Sequence, residues 1–97
     1  MLVPVEDIVY LRAELKYVTV KTAAREFLVE ESLSKMEEEF GTVFVRIHRN
    51  CLVARAAIAG FERNAEESES GWAVVVKETG ERLAVSRRQQ QIVKDFR

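Results

Sequence analysis

Short alternations of apolar and polar residues, each a handful of residues long and closed by a turn-like stretch, recur along this chain and limit it to a β-rich fold. In residues 16–22, Val18 and Val20 share one face while Tyr17, Thr19 and Lys21 take the other. That is the two-residue period of a strand with one buried side. Residues 8–12 form a similar β-branched and aromatic run, with Ala13-Glu14-Leu15 as the turn between them, and residues 26–29 supply a third short strand. Further strands are expected at 42–47, where Val43, Val45 and Ile47 share a face, and at 51–53, 57–61, 72–77 and 82–85, with Glu78-Thr79-Gly80-Glu81 as a turn.

Two segments change period. Leu33, Met36 and Phe40 fall at helical spacing behind Ser32, a good N-cap, and ahead of Gly41, a good stop. Residues 86–96 read as a helical tail with Ile92, Val93 and Phe96 as its apolar positions. Residues 64–71 (NAEESESG) have no apolar anchor and read as an exposed hairpin loop. Many short strands at close spacing with one or two short helices make a mostly β fold, and 97 residues are one domain's worth of chain. No apolar run approaches the roughly 18 residues needed to cross a bilayer, and the start MLVPVED lacks a secretion pattern. The cytoplasm is therefore the expected location, with no membrane partner.

The net charge of −1 does not advertise a nucleic-acid partner, but its distribution is uneven. Glu26, Glu30, Glu31, Glu37, Glu38 and Glu39 face Lys35 alone, and Glu62, Glu66, Glu67 and Glu69 face Arg63. Residues 43–61 carry Arg46, Arg49 and Arg55 with no acid, and the tail from Arg82 is basic but for Asp95. The surface should be polarised.

Little supports catalysis. The one histidine, His48, has no serine or carboxylate near it in sequence to complete a triad. Cys51, the only cysteine, sits in an apolar run and reads as a buried core thiol rather than a nucleophile paired with His48. The four glycines, at 41, 60, 71 and 80, form no phosphate-binding loop, and no spacing suits a metal. Neither enzyme activity nor a cofactor is expected.

Two short segments are more informative. In Phe44-Val-Arg-Ile-His-Arg-Asn-Cys-Leu-Val, Arg46 and His48 alternate with Val45 and Ile47, while Arg49 and Asn50 stand where the strand ends. Arginine and asparagine are the side chains that pair bidentately with guanine and adenine edges. Arg46 and His48 have a second reading, as structural residues bonded to a nearby loop carbonyl or carboxylate. In Ser86-Arg-Arg-Gln, the Ser-x-x-Gln spacing is a capping box with Ser86 at the N-cap. Arg87 and Arg88 then occupy a first helical turn, where the dipole disfavours cations. Two arginines placed there suit an anion such as phosphate, or a base edge.

These segments, with Asp7-Ile-Val-Tyr-Leu, Lys16-Tyr-Val-x-Val, Glu31-Ser-Leu-x-x-Met-Glu and Ala84-Val-Ser-Arg-Arg, resemble the LytTR-type DNA-binding domains of bacterial response regulators, over residues 5–96. The resemblance implies ten or so short strands in small stacked sheets, with loops rather than a helix entering successive major grooves and bending the DNA. It implies double-stranded promoter DNA with paired repeats as the partner, a homodimer on such repeats, and a phospho-receiver domain with its sensor kinase in the full-length regulator. No receiver lies within these residues, so the chain reads as an isolated C-terminal domain. Carried over by motif, the contact positions are Lys16 and Tyr17, Arg49 and Asn50, and Arg87 and Arg88. The chain departs from many relatives at Asn50, where they carry serine, and at Ala54, where they carry asparagine. The competing function is a protein-interaction module acting through the acidic helix and the NAEESESG loop.

Overall fold

The structure, a computed structural model, describes residues 3–63 and 70–95. Along the chain run β1 (Ile8–Glu14), β2 (Tyr17–Thr22), β3 (Glu26–Val29), α1 (Leu33–Glu39), β4 (Phe44–His48), β5 (Cys51–Ala54), β6 (Ile58–Arg63), β7 (Trp72–Val76), β8 (Arg82–Ala84) and α2 (Gln91–Asp95). All pairings are antiparallel, in a five-stranded sheet ordered β3-β2-β1-β5-β4 and a three-stranded sheet ordered β6-β7-β8. The expected mostly β architecture is present, with eight strands among the described residues. The NAEESESG loop, apart from Ser70 and Gly71, and Phe96 lie outside them.

Side-chain alternation on the large sheet separates two cores. Ile8, Leu11, Val18, Val20, Phe44, Leu52 and Ala54 point to one face, where Leu33 and Met36 of α1 cover them. Val9, Tyr10, Ile47, Cys51 and Val53 point to the other, against Val74, Val76, Leu83 and Val85 of the small sheet and its flank, with Ile92 and Val93 of α2. Val9 and Tyr10 share a face because the β1–β2 register shifts between Ile8 and Tyr10. The helix α1 starts as its sequence dictates, with Ser32 Oγ accepting from Lys35 N at 3.3 Å. It ends at Glu39 with Phe40 as its C-cap, and at Gly41, the next residue, a Cβ would stand 3.1 Å from the Glu37 carbonyl oxygen.

Three local expectations are corrected. Val43, which precedes β4, does not share the face of Val45 and Ile47: it packs on the α1 side of the sheet, they on the other. The β1–β2 turn is Leu15-Lys16 rather than residues 13–15, because Ala13 and Glu14 pair with Val18 and Tyr17. Cross-strand pairing there outweighs the weak strand propensity of alanine and glutamate. The tail is not one helix: a 3-10 turn, Arg87–Gln89, precedes α2. Ser86 occupies the cap position, but its hydroxyl makes no cap and its Oγ is buried without a partner. Only the Ser86 carbonyl serves the turn, accepting from Gln89 N at 3.0 Å.

The two sheets are tied by a hydrogen bond from the Tyr10 hydroxyl to Glu81 Oε2 at 2.9 Å. Burial, reinforced by that bond and by the charge of Glu81, pushes the Tyr10 hydroxyl from 10 up to about 12. An acid whose folded pKa is raised stabilises the fold below its unfolded pKa and stops doing so as pH climbs through the folded one. Tyr10→Phe should therefore lower unfolding stability by about 1 kcal/mol at neutral pH. The difference from wild type should hold constant up to pH about 10 and shrink between about 10 and 12, as read by urea titration across pH.

Candidate nucleic-acid interface

The ladder between β1 and β5 aligns Tyr10 with Val53, Leu11 with Leu52 and Arg12 with Cys51. It sets the β1–β2 turn and the β4–β5 turn side by side at one end of the large sheet. Ala13 N donates to the Asn50 carbonyl at 2.8 Å, which fastens one turn to the other. With strands about 4.8 Å apart, the two turn centres lie two strand spacings, about 10 Å, from each other.

The segment after β8 joins the same end. Ser86 N donates to the Ile47 carbonyl at 2.8 Å, using an acceptor on the outer edge of β4. The Arg87–Gln89 turn thus lies against the RIHRN turn, although some forty residues separate them in sequence. Between them opens a cleft of about 550 Å³ bordered by Glu37, Arg46, His48, Arg49, Ser86, Arg88 and Gln89. Its borders are polar side chains from three elements far apart in the chain.

Arg46 is turned inward. Its Nε and Nη2 reach Glu37 Oε1 at 3.1 and 2.8 Å, Nη2 also reaches Ser34 Oγ at 3.4 Å, and Nη1 donates to the Arg49 carbonyl. Its side chain is only 15% exposed, so this ion pair is shielded from water and salt on one side. Both structural partners anticipated for Arg46, a carboxylate and a loop carbonyl, are present at once. Glu37 is the residue the sequence did not single out. It lies in a run of acids that reads as a solvated helix face, yet α1 covers the Phe44 and Leu52 face of the sheet, where Arg46 pairs with Leu52.

His48 also shapes the turn. Its Nδ1 accepts from Asn50 N at 3.2 Å, so in the neutral ring Nε2 carries the proton. A register shift between Arg46 and His48 brings His48 opposite Cys51 rather than into the row of Arg46 and Leu52. The two residues therefore do not share a ladder face as strict alternation would have it, although both border the cleft. Arg49 and Asn50, by contrast, are exposed at the tip, as are Arg87 and Arg88. Lys16 and Tyr17 are exposed on the neighbouring turn and do not border the cleft. All eight candidate residues thus lie at one end of the molecule, six pointing outward or half-exposed around the turns and Arg46 braced behind them with His48.

A nucleophilic Cys51–His48 pair has the proximity but not the chemistry. Burial pushes the Cys51 thiol from 9.0 up to about 12, against smaller opposing influences from Arg12 and Arg46. Among the described residues no group of His, Cys, Asp and Glu could hold a metal ion, and no helix is long and apolar enough to cross a membrane.

Comparison with known proteins identifies the family and the fold. The family described as "LytTr DNA-binding domain" matches residues 1–96. Over 62 residues, or 64% of the chain, the sequence is 48% identical to the "Positive alginate biosynthesis regulatory protein" of Pseudomonas aeruginosa; the matched region spans 25% of that longer protein. In three dimensions, the LytTr DNA-binding domain of a putative methyl-accepting/DNA response regulator from Bacillus cereus superposes with a TM-score of 0.80, covering 96% of this chain and 83% of that one. At 23% identity that likeness speaks for the fold.

A thiol with a pKa this high is protonated at neutral pH and shielded by the core. In the folded protein Cys51 should react with a disulfide reagent only at the rate of unfolding, whereas in guanidinium it should react at once. Rapid labelling of the native protein would contradict this burial.

Proposed function

This chain belongs to the LytTr DNA-binding domain family, and we propose that it binds duplex DNA at defined sequences through the turns gathered at one end of its five-stranded sheet. The observation that carries the reading is the joint between Ser86 N and the Ile47 carbonyl, which unites the two arginine-bearing segments into one surface. In a chain of net charge −1, that end presents Lys16, Arg49, Arg87 and Arg88. Of the acids there, Glu37 is engaged by Arg46, while Glu14 at the β1–β2 turn and Glu30 and Glu31, just past the Val29 end of β3 beside Val18, are exposed counter-charges.

Roles follow from exposure. Arg49, Asn50 and Arg87 have exposed tips able to meet base edges in a major groove. Lys16 and Arg88 neutralise phosphates and fix register, with Tyr17 packing beside them. Arg46 positions the turn through its carbonyl contact, and His48 holds Asn50 while its Nε2–H can donate to the backbone. The domain then serves as the transcription-regulating output of a two-component response regulator in the cytoplasm. A phospho-receiver domain and its sensor kinase would control it, and two copies would occupy paired promoter repeats. The alginate-regulating relative makes the promoters of alginate biosynthesis genes the first targets to examine.

Binding should weaken steeply with salt, log K against log salt falling with a slope of about −0.9 per phosphate neutralised. Two to four such contacts give a slope of about −2 to −4. A salt-independent complex would reject this footprint. Arg87→Ala should weaken the specific complex by about 1–3 kcal/mol and a random duplex much less. Equal losses on both would instead make Arg87 a phosphate contact.

A further inference from the structure

The β1–β2 turn carries a side chain that the fold does not use. Leu15 is fully exposed, at 107% of its reference area, although leucine is among the residues most often withdrawn from water. It belongs to neither core. Nor does it serve the turn itself. Two-residue connections between antiparallel strands favour Asn, Asp or Gly, and this one is Leu15-Lys16. A single exposed leucine is ordinary on a protein surface; this one is singled out by its place, at the tip of a turn in the candidate interface. Its surroundings are specific: Lys16 is next in sequence, Tyr17 is 41% exposed beside it, and the Arg49-Asn50 turn is fastened alongside through Ala13 and Asn50.

We propose that Leu15 is a specificity-determining residue that packs against the C5-methyl group of a thymine in the major groove. The inference rests on the DNA-binding reading above and adds an apolar contact to it. Along a major groove, only thymine among the four bases presents a methyl group, so an apolar side chain there distinguishes T from C, A and G without a hydrogen bond. Lys16, as the second residue of the same turn, supplies the nearby phosphate with its counter-charge and holds the tip at groove depth. Burying one methyl group against a leucine is worth about a fourfold change in affinity.

The test uses the 97-residue chain and a duplex that it selects from a randomised pool. Each thymine is replaced in turn by deoxyuridine, which removes the methyl group and leaves base pairing intact. Affinities are measured for wild type and for Leu15→Ala, with circular dichroism confirming that this exposed substitution leaves the fold unchanged. The expected result is one thymine position, or one per bound copy, where deoxyuridine costs wild type about fourfold and costs Leu15→Ala nothing. If every replacement affects the two proteins equally, the contact is refuted while selective, salt-dependent binding by wild type leaves the broader function standing. Failure of wild type to select any duplex would overturn both.

Discussion

The β1–β5 ladder is the constraint on which the rest of the molecule depends. Every side chain of β5 is buried, with Cys51 and Val53 in one core and Leu52 and Ala54 in the other. Large apolar side chains such as Leu11 and Leu52, fully withdrawn from water, each contribute roughly 1.5–3 kcal/mol. A slip of one residue in this ladder would exchange the two faces and present each core with the other's side chains. The same pairing aligns Arg12 with Cys51 and so fixes where the two neighbouring turns emerge. Core packing and placement of the candidate interface are thus one decision, made in three residue pairs.

Charge is sorted by the same framework. A slightly acidic chain offers an anion-binding surface more readily where acids close to its basic side chains are engaged. Lys21 lies 3.8 Å from Glu26, at the opposite end of β2 from the β1–β2 turn, and Arg82 pairs with Glu62 on the small sheet. Such exposed pairs add little stability, and each engages one acid; Glu30 and Glu31, just past the Val29 end of β3, remain exposed near the β1–β2 turn. Glu37 is different. It stands at the cleft, but Arg46 takes up its charge, so the outer arginines are not neutralised by it.

Much of this was legible in the sequence where a period repeats. The strand segments around Val18 and Val20 and around Val45 and Ile47, the Ser32 cap and the Gly41 stop all declare themselves locally, and motif resemblance joined the distant segments. What was not legible depends on contacts between segments. The capping box at Ser86 failed because the backbone there is fastened to Ile47 on another strand, and the side chain turns inward. The inward role of Glu37 required knowing which face of the sheet α1 covers. The alternation of Arg46 with His48 was broken by a bulge that no local pattern announces. Leu15 passed as an ordinary turn residue because exposure is a property of the fold.

Under the proposed DNA-binding reading, a short turn takes the place that a helix has in other DNA-binding folds. A helix holds its side chains with its own hydrogen bonds, whereas a turn must borrow support. In the Arg49-Asn50 turn the Arg49 carbonyl accepts from Arg46, Asn50 N donates to His48 Nδ1, and the Asn50 carbonyl accepts from Ala13 N. Three backbone groups are thereby engaged by three different neighbours, and the side chains of Arg49 and Asn50 remain exposed. A turn ordered before binding loses less conformational entropy when it meets DNA, and at about 1–2 kcal/mol for each backbone residue otherwise fixed on contact, that difference is large. On the proposed reading, the polar residues behind the tip act on affinity without touching the partner, by ordering the turn before contact.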